Sequence, residues 1–133
     1  VESCAQAFYS CQNLKRLDLS KWRMSPNGTA QAMFYGCSLL QELNLSGFDF
    51  SEITNAWNLF YKDRSLDKVT VGSDWQWIDG DSYGDGYLPA PSAAYISGAD
   101  GKWYSASNGA AYIPSDLPSN KADTYYASKT LLG

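Results

Sequence analysis

Hydrophobic positions along the first 75 residues follow two alternating rhythms. Leu14, Leu17 and Leu19 share the spacing L-x-x-L-x-L with Leu40, Leu43 and Leu45, and with Leu66, Val69 and Val71. The last residues of each set alternate with polar neighbours, the period-two signature of a strand with one buried face. Upstream of each strand the rhythm changes. Ala30, Met33, Phe34 and Cys37 fall at spacings of three, four and seven, which predicts one face of a short helix. Cys4, Ala7, Phe8 and Cys11 match them, as do Ala56, Leu59 and Phe60. Ser3, Thr29 and Asn55 share the position just before this face, and each can cap the first free amides of a helix; Ser3 with Gln6 reads as a capping box. The predicted unit is helix, turn, strand, turn.

That unit recurs. "FYSCQNLKRLDLS" begins at Phe8, "FYGCSLLQELNLS" at Phe34 and "FYKDRSLDKVTVG" at Phe60, a constant period of 26 residues without insertion. A half-buried strand cannot cover its own apolar face, and stacking successive units into a parallel sheet gives that face a continuous core. The L-x-x-L-x-L core at this period, preceded by "MFYGC" and followed by "LSGFDFSEITN", resembles the BspA-like leucine-rich repeats of bacterial surface proteins over about residues 1–75, just under three repeats. The resemblance implies an α/β leucine-rich-repeat solenoid with a short helix and a parallel strand per repeat. It further implies a non-catalytic extracellular role at the bacterial cell surface or in secretion, in adhesion by protein or host-surface recognition. Where ordinary leucine-rich repeats place an asparagine at one corner, Trp22 and Phe48 stand here, which predicts an aromatic stack. Residue 1 precedes a cap in mid-array, and the expectation is a C-terminal fragment of a longer chain.

The third unit degrades: valines replace two leucines, and the corner aromatic falls at Trp75, one place late. Residues 76–92 contain "QWIDGDSYGDGYLPAPS", a Gly, Asp and Pro-rich loop. Residues 93–133 lack a helical period; "AAYIS", "KWYSA" and "AAYIP" read as short strands separated by "GADG" and "SNG" turns, with "PSNKADTYYAS" supplying one more. This predicts a small β-rich cap over the last repeat.

Composition narrows the functional classes. Charged residues make up 18% of the chain and hydrophobic ones 44%, a globular balance rather than a disordered one. The net charge of −4, with Lys and Arg scattered, argues against nucleic acid and anionic lipid. No apolar run is long enough to span a membrane. There is no histidine, and the three cysteines show no C-x2-C spacing, which excludes histidine-based catalysis and most zinc sites. No nucleophile–base pair, phosphate loop or metal cluster stands out, so neither an enzyme nor a cofactor is expected.

Four groups of residues remain as candidates. On the outward sheet face, Arg16, Glu42 and Lys68 form one column and Asp18, Asn44 and Thr70 the next, either a self-satisfied solvated face or a polar surface for a protein partner. Trp75, Trp77, Trp103 and Tyr104 form either the core of the cap or a platform for carbohydrate. Asp79, Asp81 and Asp85 lie in a glycine-rich loop and are calcium candidates; an EF-hand order needs oxygen at the fifth place, Gly at the sixth and Glu at the twelfth, and Gly84 fits whereas Tyr83 and Ala90 do not. Cys11 and Cys37 share one repeat position beside the core phenylalanines and read as buried structural thiols, with a disulfide between them the rival. Tyr9, Tyr35 and Tyr61 read as a ladder stacked between units.

Overall fold

The computed structural model describes residues 8–21, 28–30, 32–78 and 86–133. Its strands are β1 (Arg16–Asp18), β2 (Gly28–Thr29), β3 (Glu42–Leu45), β4 (Ile53–Asn55), β5 (Lys68–Val71), β6 (Trp103–Ser105), β7 (Ala111–Tyr112) and β8 (Asp123–Tyr126), followed by the one-turn helix α1 (Lys129–Leu132). Six of them form one open mixed sheet in the order β1-β3-β5-β8-β6-β7, and β2 pairs separately with β4. β1, β3 and β5 are parallel, with Arg16, Glu42 and Lys68 in one register column and Leu17, Leu43 and Val69 in the next. Each step across these strands is one 26-residue period. Leu43, Leu45, Val69 and Val71 are buried, while Glu42, Asn44, Lys68 and Thr70 alternate with them on the wetter face. The sheet continues antiparallel through β8, β6 and β7, so the C-terminal segment is built into the same sheet as the repeats.

The expected leucine-rich-repeat solenoid is overturned. The fold is mostly sheet; among the described residues the only helical segments are a 3-10 turn at Pro114–Asp116 and α1, and neither lies in a repeat. The α/β class and the leucine-rich-repeat and BspA-like designations are therefore withdrawn. Main-chain bonding explains the correction. In the segment predicted as helix, amides at even positions donate to the next repeat: Phe8 to Met33, Ser10 to Tyr35, Ala30 to Asn55, Ala32 to Trp57, Phe34 to Leu59 and Gly36 to Tyr61. Amides at odd positions donate three residues back, as Met33 does to Ala30, Tyr35 to Ala32 and Cys37 to Phe34. An α-helix needs every interior amide to donate four residues back in its own segment. Left-handed residues recur in step, Ala32 with Asn58 and Ser10 with Gly36 and Lys62, and each interrupts any run of right-handed helical φ. The predicted caps are not caps. Asn55 lies in β4 and its Oδ1 accepts from the Trp57 amide at 3.0 Å, Thr29 lies in β2, and Ser3 and Gln6 fall outside the described residues.

Side chains stack along the same direction as the amides. Phe8, Phe34 and Phe60 form an inner ladder with centroids 5.5 and 5.7 Å apart. Tyr9, Tyr35 and Tyr61 form an outer one at 4.9 and 5.4 Å. At the corner, Phe48 meets Trp75 edge-on while Phe50 stacks on it at 4.0 Å; Trp22 lies outside the described residues. Trp75 then contacts Trp77, and Trp77 contacts Tyr125 of β8, which carries the core from the repeats into the C-terminal strands. Burying aromatic groups of this size contributes roughly 2–3 kcal/mol each. One polar cluster and one close backbone approach fix neighbouring strands. Asp123, at the start of β8, accepts from the hydroxyls of Ser105 at 2.5 Å and Ser107 at 2.8 Å, tying the β6–β7 hairpin to its neighbour. Gly72, just after β5, lies so close to β3 that a Cβ would stand 2.6 Å from the Ser46 carbonyl oxygen.

Candidate functional site

The wetter face of the sheet collects the first group of sequence candidates. Parallel pairing at one-repeat offsets places Arg16, Glu42 and Lys68 side by side, and Asp18, Asn44 and Thr70 beside them. All six line a shallow groove of about 300 Å³. The Arg16 Nε–H donates to Glu42 Oε2 at 2.7 Å, and Lys68 Nζ stands 4.0 Å from Oε1 of the same carboxylate. With the Arg16 side chain 77% exposed, this bridge contributes at most ~1 kcal/mol and can be traded for a ligand at little cost. Asp18 is held below the usual carboxylate range by its hydrogen bonds from Ser20, so it stays ionised. Asp67, next to Lys68, is pushed up by burial and by the Glu42 charge.

Antiparallel β8 extends both columns in a way the repeat period could not foretell. Tyr126 registers with Lys68, whose ammonium lies 5.9 Å from the ring centroid, and Tyr104 of β6 registers with Tyr126. Thr124 registers with Thr70, their hydroxyl oxygens 3.0 Å apart. The face thus passes from ion-paired on β1, β3 and β5 to aromatic on β8 and β6. Only the alternation in "DTYY" signals Thr124 and Tyr126 in the sequence, and it does not reveal which strand they join.

No protein-family model, curated protein or solved structure matches this chain. Its function is therefore argued from its own geometry.

The remaining candidates fall in other places. Trp75, Trp77 and Trp103 are buried at 1%, 7% and 0% exposure, which removes them as a platform for sugar. The Trp77 and Trp103 indole N–H groups donate to the carbonyls of Pro118 and Pro89. Tyr104 is half-buried, and its hydroxyl donates to Asp100 Oδ2 at 2.5 Å. Asp79, Asp81 and Asp85 lie outside the described residues, and among those described no three metal-ligating side chains converge. Cys11 and Cys37 are free thiols, and Cys4 lies outside the described residues. The Cys37 thiol donates to the Phe8 carbonyl at 3.1 Å, and burial with the Asp63 charge pushes its pKa up to about 12, so it is a poor nucleophile.

Asp63 was not singled out by sequence reading, although it stands one period after Cys37. It is fully buried; Oδ1 accepts from the Cys37 amide at 2.8 Å, and Oδ2 has no partner among the described residues. Burial pushes its pKa up to about 8, against the pull of that amide. The substitution of a carboxyl for a thiol in an otherwise regular column was the available signal.

Proposed function

We propose that this chain is a non-catalytic recognition module that binds a protein ligand through the wetter face of its sheet. The observation that carries the reading is the groove across β1, β3 and β5. It is lined by Arg16, Asp18, Glu42, Asn44, Lys68 and Thr70 and flanked by Tyr126 and Tyr104. Charged groups at its centre supply orientation, and tyrosines at its side supply contact area at low entropic cost. A photoactivatable residue at Asn44, compared with one at exposed Ser97, tests it in living culture: a defined protein cross-linked from Asn44 alone, whose affinity falls about tenfold in Glu42→Lys, is the expected result. Cross-linking from both positions alike, or capture of glycan without protein, would overturn it.

A further inference from the structure

Cys11 and Cys37 stand one period apart, and the fold brings their sulfurs closer than a shared repeat position requires. The Phe8 and Ser10 amides donate to the carbonyls of Met33 and Tyr35 at 2.8 and 2.6 Å, so the chain before Cys11 lies directly on the chain before Cys37. Phe8 stacks on Phe34 at 5.5 Å and Tyr9 on Tyr35 at 4.9 Å, a layer spacing inside the range of about 4.4–6.8 Å that a disulfide spans between Cα atoms. Two parallel side chains at that spacing would still point past each other. The Cys37 side chain instead leans back: its thiol donates to the Phe8 carbonyl at 3.1 Å, the same oxygen that accepts from the Cys11 amide at 3.3 Å. Its sulfur is thereby within hydrogen-bonding reach of both the amide and the thiol of Cys11. Asp63 leans back in the same way, its Oδ1 on the Cys37 amide at 2.8 Å, so the tilt belongs to the whole column. Between the first two repeats both partners are sulfur.

The two thiols differ in access. Cys37 is buried and Cys11 half-buried, so a dissolved reagent meets Cys11 first. The first repeat is also the one with least to hold it. β1 has three residues and, among the described residues, pairs with β3 alone, and its Arg16–Glu42 ion pair is exposed to solvent. Cys11 lies on the segment that leads directly into β1, which makes it a point from which that strand can be fixed to its neighbour.

We propose that Cys11 and Cys37 are a redox-modification site, closed to a disulfide by exchange with a small-molecule disulfide, and that the bridge staples the first repeat to the second. In the first step the Cys11 thiolate attacks one sulfur of the small disulfide, whose S–S bond breaks and releases one thiolate. In the second, the Cys37 thiol gives its proton to solvent and its sulfur attacks the Cys11 sulfur of the mixed disulfide, releasing the second thiolate. Two protein thiols are oxidised to one disulfide, and the small disulfide is reduced to two thiols. Burial slows Cys37 toward dissolved reagents, but the second step needs no reagent to enter, because the Cys11 sulfur is already within reach.

The test exposes the native, reduced chain to oxidised glutathione and follows it by mass spectrometry without reductant. The parent should lose two hydrogens, and peptide mapping should link Cys11 to Cys37. Cys37→Ser should stop at a glutathione adduct on Cys11, and Cys11→Ser should form no bridge, whereas Cys4→Ser should close as the parent does. The closed form should fold with an equilibrium constant about a hundredfold larger than the reduced form in urea titrations, because the bridge closes a loop of one repeat in the unfolded chain. The amides of Phe8 and Ser10 should exchange about tenfold more slowly once the bridge has formed. A glutathione adduct that persists on Cys11 of the parent, a bridge that uses Cys4, a bridge between two chains, or Phe8 and Ser10 exchange that is equal in the two forms would each overturn the proposal.

Discussion

Replacing Asp63 by asparagine isolates the cost of one buried carboxyl. In the folded chain its pKa stands at about 8, against 3.8 for an ordinary aspartate. A folded-state pKa above the unfolded one means that the native state holds the proton more tightly. The associated stability is fully present below pH 4, falls as pH rises, and is gone once pH passes about 8. At 1.36 kcal/mol per pKa unit, a difference of about four units amounts to about 5 kcal/mol between pH 4 and pH 9. Asparagine does not titrate and keeps an oxygen for the Cys37 amide, but it leaves its NH2 group without an acceptor, at about 1–2 kcal/mol. Asp63→Asn should therefore be slightly less stable than the parent at pH 4 and several kcal/mol more stable at pH 9. Urea denaturation of both proteins at pH 4, 7 and 9 measures this, because other carboxylates cancel in the difference. A gap between the two proteins that is the same at pH 4 and pH 9 would refute the reasoning. Asp63→Cys, which restores the residue found one repeat earlier, should gain at high pH in the same direction.

Three further outcomes follow from the packing. Gly72→Ala forces a methyl group against the Ser46 carbonyl and should cost about 1–3 kcal/mol in thermal or urea unfolding, with the sheet face otherwise intact. Asp123 feels burial, which raises its pKa, but the Ser105 and Ser107 hydroxyls and two amides outweigh it, so the net shift is downward. Its contribution is present above pH 4 and lost as pH falls through the lowered value; Asp123→Asn should cost about 1–3 kcal/mol at pH 7 and much less at pH 2 by the same assay. Cys37 should resist alkylation in the native chain until global unfolding, whereas half-buried Cys11 should label faster, as peptide mass mapping after timed iodoacetamide exposure would show.

The period of 26 was legible in the sequence because stacking demands it: the residues that share a column in the repeats, such as Arg16, Glu42 and Lys68, meet in the sheet. The conformation between the strands was not legible. Apolar residues three and four apart fit one face of a helix, and they fit equally a run of turns whose alternate amides leave sideways. Gly36, one residue before Cys37 ends the predicted helical face, was the local warning, since its φ of 74° is ordinary for glycine and foreign to a helix. The sheet-face candidates were found because period-two alternation assigns faces directly. Their aromatic continuation on β8 was missed because antiparallel pairing across 54 residues, as between Thr70 and Thr124, leaves no periodic trace. The three tryptophans could have been surface or core by composition alone; in the fold Trp75 is buried against Phe48 and Phe50 of the repeats, Trp77 against Tyr125 of β8, and Trp103 with its indole N–H on the Pro89 carbonyl.

The alternation of bonding between even and odd amides has a consequence for the length of this segment. One residue inserted between 30 and 36 would exchange the two sets, turning inter-repeat donors inward and local donors outward, and would uncouple the repeat from the next. Two residues would restore the parity further along the segment. Tolerance to insertion here should depend on whether the added number is odd or even, rather than rise or fall smoothly with its size.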